Sequence, residues 1–316
     1  AADASAAAPA LRESDGAFVV PPVDGDRYVE CLLDLCRAHR VGLLISLNDL
    51  ELPILARQSE RFLEIGAVPV ISSPSVIDVC FDKLATLELL RELGLRGPRT
   101  YVSLDAARDA LSKGDVSFPL VVKPRWGTAS IGIEYPEDDE DLELAYRLVR
   151  RRLPRTALAA VSAVDPDRSV LIQERLRGQE YGLDVINDLR GRYVTTFARL
   201  KLGMRAGETD RAMTVNSDRL ERLGEVLGTR LGHVGNLDCD VFVDDEHDYV
   251  LEMNPRFGGG YPFSHCAGAN LPAALVAWAD GAAVDAAWLR IRPAVVASKC
   301  DRVVVVDEGT QAVPSR

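Results

Sequence analysis

Residues 235–256 read GNLDCDVFVDDEHDYVLEMNPR, and this stretch decides the fold. Residues 235–243 and 248–254 are two strand-like runs joined by an acidic, polar turn, so the spacing predicts a β-hairpin. Side chains alternate across a strand, which puts Asp238 and Asp240 on one face of the first run. Glu252 and Asn254 likewise share one face of the second. A turn at residues 244–247 brings Asp240 and Glu252 close across the pair. Clustered oxygen donors of this kind suit Mg²⁺, which favours one or two carboxylates plus substrate phosphates. A solvated polar face is the plainer reading. The residues just beyond the hairpin weigh against it: Pro255-Arg256-Phe257 and then Gly258-Gly259-Gly260 set a cation and a pliable backbone beside the acids, as phosphate handling requires.

Working outward, residues 118–123 (FPLVVK) form an apolar strand ending in Lys123, followed by a loop of small residues over 125–132. A lysine at a strand end can meet phosphate oxygens while loop N–H groups close over them. The loop matches neither GxxxxGK[ST] nor GxGxxG, and a plain connector carries equal weight there. Gln173-Glu174-Arg175-Leu176 and Gly178-Gln179-Glu180 end one strand and begin the next. Such a connector can offer backbone hydrogen bonds to a base and a carboxylate to ribose, although taken alone a simple polar turn is the preferred reading. Nearer the start, helices over 26–39 and 52–65 alternate with strands over 41–46 and 68–72, the pattern of a small parallel α/β unit. Residues 75–95, 104–113, 138–152, 217–231 and 271–281 read as helices. Strands over 169–174, 180–188 and 193–201 come one after another and suggest one antiparallel element.

The chain has 316 residues, 47% hydrophobic and 27% charged, enough for about two domains with a sizeable core. Its net charge of −11 argues against nucleic acid as the main partner, because phosphate neutralisation needs a basic surface. Six scattered cysteines without a CxxC point to reduced thiols, and four histidines show no zinc spacing. No run of 18 apolar residues occurs, so no spanning helix is expected. The alanine-rich start has no basic residues to make a signal peptide. A cytoplasmic location and no membrane partner are the expectation.

Asp82-Lys83, Lys123-Pro124 with its loop, Gln173-Glu174 with Gly178-Gln179-Glu180, and Leu251-Glu252-Met253-Asn254-Pro255-Arg256, in this order, resemble the ATP-grasp superfamily. The nearest likeness is to ligases similar to carbamoyl phosphate synthetase large subunits, a group that includes the pyrrolysine-pathway ligase. It covers about residues 17–281. The resemblance implies an α/β and α+β architecture, an ATP-grasp fold with an N-terminal parallel α/β (pre-ATP-grasp) domain. Residues 1–79 would be that substrate domain, lacking its first strand, and 80–115 a helical connection. Residues 116–178 would be a small α+β lid and 179–316 the ATP/Mg-binding domain. By the same resemblance Lys83 and Lys123 hold phosphates, Gly127, Thr128, Ser130 and Gly132 belong to the covering loop, and Glu174, Arg175 and Leu176 meet adenine. Glu180 would hold ribose. Asp240, Glu252 and Asn254 would hold two Mg²⁺ ions, with Mn²⁺ as the alternative. Arg256, Lys201 and Arg205 would be the catalytic cations, with Arg199 on the same basic strand. Asp240 stands where relatives often carry glutamine, Ala129 where a loop glycine is frequent, and Lys201 where arginine is common.

The activity so implied is ATP-dependent carbon–nitrogen ligation through an acyl phosphate, giving ADP and phosphate. The partners would be small carboxylates and amines, amino acids foremost, and the chain would pair as a homodimer. Carbamoyl-phosphate-type phosphorylation of bicarbonate or carbamate, and an inactive nucleotide-binding regulator, are the alternatives. Lys123, at the mouth of its strand, is expected to be solvated.

Overall fold

The structure, a computed structural model, describes residues 1–127 and 132–306. In chain order the elements begin with β1 (Ala2–Asp3), β2 (Phe18–Val19), α1 (Tyr28–His39), β3 (Leu43–Ile45), α2 (Leu52–Arg57), α3 (Ser59–Glu64) and β4 (Val68–Val70). Next come α4 (Pro74–Phe81), α5 (Lys83–Glu92), β5 (Thr100–Tyr101), α6 (Leu104–Lys113), β6 (Leu120–Pro124), α7 (Asp139–Arg152), α8 (Ala159–Ser162) and β7 (Val170–Glu174). The rest are β8 (Gln179–Asn187), β9 (Tyr193–Arg205), β10 (Glu208–Val215), α9 (Asp218–Leu231), β11 (Gly235–Val243), β12 (Asp248–Asn254), α10 (Tyr261–Cys266), α11 (Leu271–Ala279) and β13 (Val296–Ser298). No described helix is long and apolar enough to cross a membrane.

The chain divides into two compact units. The first comprises residues 1–44, 57–69 and 299–316, the last described to 306. In it β1 and β2 run parallel, and β3 pairs with β4. Helix α1 buries Leu32, Leu33 and Cys36 along one stripe, as its period predicts. Glu30 and Arg61 pair at 2.7 Å on the surface. The single helix expected over 52–65 is two short ones, α2 and α3, because Gln58 leaves the helical conformation at φ −112°, ψ 6°.

The second unit, residues 45–56 and 70–298, carries the larger core. Its six-stranded antiparallel sheet has the order β12-β11-β8-β9-β10-β13. Leu183, Val185, Leu237, Cys239 and Val241 face α4, α5 and α9 across an apolar layer. A separate three-stranded sheet, β5-β7-β6, packs its own core against α6 and α7 through Leu120, Val122, Leu142, Val149 and Ile172. The strand at 169–174 therefore belongs with β6, not with β8 and β9, correcting the single antiparallel element read from the sequence. Strand β9 runs on to Arg205 and turns through Ala206 and Gly207, both at positive φ, into β10. Sequence reasoning passes over β10 because its inward residues, Thr209, Ala212 and Thr214, are small or polar.

The helix expected over 75–95 breaks at Asp82, which adopts φ −99°, ψ 107°. Three contacts explain the break. Asp82 Oδ1 accepts the Leu84 N–H at 2.9 Å as an N-cap, both Asp82 oxygens accept from Arg125, at 2.7 and 2.6 Å, and the Asp82 backbone bridges Trp126. Arg125 continues to Asp165 at 2.8 Å. Asp82→Ala removes a cap and leaves a mostly buried guanidinium short of a partner, so it is expected to lower stability by about 2–4 kcal/mol. Urea unfolding checks this. A change under about 0.5 kcal/mol, the size of an ordinary surface substitution, would show that the break needs no Asp82.

Candidate active site

The β11–β12 hairpin forms in the expected register, with Asp240 opposite Glu252 and Asp238 opposite Asn254, and it turns where Asp244 N–H meets the His247 carbonyl. A β-bulge between Asp240 and Val241 sets an extra residue into β12. Val250 and Met253 consequently both enter the core, while Leu251 and Glu252 both line a cavity of 360 Å³. The bulge turns one extra side chain toward that cavity.

Lys83 and Lys123 line the same cavity. The Lys83 Nζ donates to the Gly127 carbonyl at 2.5 Å. Lys123 is only 5% exposed, so the solvated lysine expected from the sequence is instead buried. Burial, helped by the Lys83 charge, pushes the Lys123 pKa down to about 7, although Glu252 and Asp240 pull the other way. Lys83 is lowered by burial too, against the pull of Glu252, Asp82 and Asp49. Among the described residues neither ammonium pairs with a carboxylate. Two lysines thus line one cavity with carboxylates near but not in contact.

Lys201 differs. Its Nζ lies 2.6 Å from Glu180 and 2.7 Å from Asp240. Burial works to lower its pKa, and Asp240 and Glu180 outweigh that and hold it above the ordinary value. Asp240 is pushed up to about 7 by burial, with Asp238 and Glu252 adding repulsion against the pull of Lys201. The Glu252 and Asn254 side chains have no hydrogen-bond partner among the described residues. The donor set is thus two carboxylates and an amide on one face, hard oxygen ligands that fit Mg²⁺ or Mn²⁺. No group of three His, Cys, Asp or Glu side chains among the described residues gathers as a metal cluster, so substrate oxygens would have to complete the shell.

Next to the lysines, a second cavity of 460 Å³ is lined by Lys123, Gln173, Glu174, Arg175, Leu176 and Glu180. Glu174 Oε1 accepts the Arg99 N–H at 2.7 Å, and Arg175 lies over the Tyr135 ring at 5.5 Å. Gly178 has φ 106°, and a Cβ there would overlap the Val243 carbonyl, so only glycine lets the connector lie against the hairpin. Gly127 and Gly132 are also at positive φ. Thr128 and Ser130, with Ala129, lie outside the described residues. Arg205 stands apart: half exposed, it pairs with Asp210 at 2.8 Å.

A third cavity, 280 Å³, is bordered by Arg199, Lys201, Asp238, Asn254 and Arg256. Arg199 is 1% exposed. It meets Asp184 at 2.6 Å and Asp238 at 3.0 Å. Asp238 also meets Arg256 at 3.0 Å, and Arg256 forks onto Asp49 at 3.0 and 2.9 Å. Both oxygens of Asp238 are thus engaged by arginines. The glycines at 258 and 260, read from the sequence as pliable, serve close packing instead: a Cβ at Gly258 would overlap the Asp238 carboxylate, and one at Gly260 the Arg199 guanidinium. Asp49 and Asp184 carry no motif. They emerge only from the fold, Asp49 lying 207 residues from its partner.

Residues 167–300 match the family described as ATP-grasp in the biosynthetic pathway with Ter operon, and residues 1–71 match that described as PylC-like, N-terminal domain. The fold aligns with biotin carboxylase of Campylobacter jejuni, solved as a beta-gamma-ATP complex, at TM-score 0.70 and 15% identity, over 92% of this chain and 67% of that one. The chain has an ATP-grasp fold. L-amino acid ligase from Bacillus licheniformis aligns with this chain at TM-score 0.62 and 18% identity, over 84% of this chain and 64% of the ligase. In sequence it is 25% identical over 221 residues to the carbamoyl phosphate synthase large chain of Mesorhizobium japonicum, covering 64% of this chain and 19% of that one. The chain thus spans about a fifth of the length of that relative.

Burying Lys123 without a partner has a measurable consequence. Its pKa is about 7 in the folded chain against an ordinary 10.5. Between those values the unfolded chain holds the proton and the folded chain does not, so this group makes stability rise with pH across that window. Lys123→Met removes the contribution. The ligand-free variant is expected to be more stable than the parent near pH 7, with the gap narrowing toward pH 10, in urea unfolding at several pH values. Parallel stability curves would show that Lys123 stays protonated in the fold.

Proposed function

We propose that the chain is an ATP- and Mg²⁺-dependent carboxylate–amine ligase, and that amino acids are its substrates. The observation that carries this reading is the pair of ammonium groups, Lys83 and Lys123, which among the described residues pair with no carboxylate and line one cavity with the acids of the hairpin. Such a site suits a polyphosphate accompanied by a divalent cation. In this reading residues 116–178 act as the lid, residues 179–316 as the ATP/Mg domain, and the cavity along 173–180 receives the base.

Phosphoryl transfer demands positioning and charge neutralisation more than covalent chemistry from the protein. Lys83 and Lys123 would hold phosphate oxygens, Lys123 taking up a proton as the polyanion binds. Asp240, Glu252 and Asn254 would hold the metal, which supplies Lewis acidity at the phosphates when bound. A substrate carboxylate oxygen attacks the γ-phosphorus, the bond to the β–γ bridging oxygen breaks, and ADP leaves. An amine nitrogen then attacks the acyl carbon, loses a proton, and inorganic phosphate departs with the former carboxylate oxygen. Arg256, on the 280 Å³ cavity beside the hairpin, would hold the carboxylate and then the acyl phosphate. Lys201, fixed between Glu180 and Asp240, keeps those two acids in place rather than reaching the substrate itself.

ADP release measured across pairs of amino acids with ATP and Mg²⁺ tests the reading. Release is expected only with a suitable pair, and Glu252→Gln is expected to lower kcat by about 10²-fold or more while circular dichroism shows an unchanged fold, because a metal-ligating charge is lost. ADP release driven by bicarbonate and by no amino acid would move the reaction to carboxy-phosphate formation. A folded Glu252→Gln protein with parental turnover would remove the metal assignment.

A further inference from the structure

The guanidinium best placed to receive a substrate carboxylate is already engaged. Arg256 donates Nε and Nη2 to the two oxygens of Asp49 and Nη1 to Asp238. With Arg199, two guanidinium groups here face three carboxylates, Asp49, Asp184 and Asp238, a local excess of one negative charge. The three acids are not equivalent. Asp184 is also held by Ser264 at 2.6 Å and Asn236 at 3.2 Å, and Asp238 is shared by both arginines beneath Gly258. The Asp49 side chain has Arg256 as its partner and no other among the described residues. Its loop is itself braced, by Ser46 Oγ on Glu51 at 2.7 Å and by Leu50 N–H on Asn48 Oδ1 at 3.0 Å, so Asp49 is presented rather than trailing.

We propose that Asp49 is a specificity-determining residue, selecting an α-amino acid over a plain carboxylic acid. The substrate carboxylate takes the place of Asp49 on Arg256, and the substrate ammonium pairs with the Asp49 carboxylate so released. This rests on the ligase reading above. A carboxylic acid without an amino group would have to displace Asp49 and leave a mostly buried carboxylate unpaired, which is strongly unfavourable. A zwitterion breaks one ion pair and makes two. The 280 Å³ cavity has room for one amino acid.

Hydroxylamine traps an acyl phosphate as a hydroxamate with loss of phosphate, so the test needs no knowledge of the natural amine. The parent protein, Asp49→Asn and Asp49→Glu are assayed with ATP, Mg²⁺ and hydroxylamine against matched acids: alanine and propionate, leucine and 4-methylpentanoate, glutamate and glutarate, lysine and 6-aminohexanoate. For the parent, an accepted amino acid is expected to exceed its deamino partner in kcat/KM by tenfold or more. Asp49→Asn should cut that ratio at least tenfold, mainly through KM, and Asp49→Glu should retain more of it. An equal ratio in parent and Asp49→Asn, or a parent that prefers the deamino acids, overturns the assignment while leaving the ligase reading intact. If Asp49→Asn does not fold, the parent's ratio and Asp49→Glu still decide the matter. No hydroxamate from any acid, in a parent protein that hydrogen exchange shows to bind ATP, overturns the ligase reading and this proposal together.

Discussion

The buried guanidinium of Arg199 is the constraint around which the second unit's site is built. A charge taken wholly out of water is tolerable only with close, well-aimed partners, and Arg199 finds them on the adjoining strand β8 and on β11 beyond it. Asp184 on β8 lies opposite Asp238 on β11, and Arg199 on β9 lies opposite Gly182 on β8. The glycine opposite leaves the room into which the guanidinium folds back, and Gly260 closes over it from beyond the hairpin. Register, two acids and two glycines are therefore coupled. Shifting any one of three strands by one residue would send Arg199 or an acid to the apolar face.

That arrangement fixes Asp238, and Asp238 in turn fixes Arg256. The neighbouring hairpin acids obey a different logic. Asp240 and Glu252 face each other with Asp238 nearby, compensated at contact distance by Lys201 and from farther off by Lys83 and Lys123, which repel one another across the same cavity. Each half is unfavourable in the free protein. A cation bound by one half and a polyanion by the other relieve both, so the binding free energy comes partly from strain that the fold carries beforehand. The apolar layers under the two sheets supply the stability against which that strain is held.

The sequence made the hairpin acids legible because period-two alternation is strong there: Leu237, Cys239 and Val241 point inward, so Asp238 and Asp240 must point outward. It could not show the bulge, which changes the phase of β12 by one residue and alters the environment of Leu251 rather than its identity. Lys123 was legible as a strand-end lysine but not as a buried group, since its strand end is covered by elements distant in sequence. The glycines after Arg256 invited a reading of pliability, whereas the structure uses two of them for close approach to Asp238 and Arg199. Asp49 left no local trace at all. A short acidic stretch after an apolar strand is common, and its meaning depends on an arginine far along the chain.

Arg199 and Arg256 show how one side-chain type serves two ends within a single ion chain. Both guanidinium groups touch Asp238, and each has one further carboxylate. The further partner of Arg199, Asp184, is buried on a central strand and held by Ser264 and Asn236, so exchanging it would leave several polar groups unmet at once. The further partner of Arg256, Asp49, sits on a short loop, and its side chain has no second hydrogen-bond partner among the described residues. Arg199 is therefore fixed in place while Arg256 is held at one end by an acid with fewer ties, and the difference lies in what holds the acids rather than in the arginines.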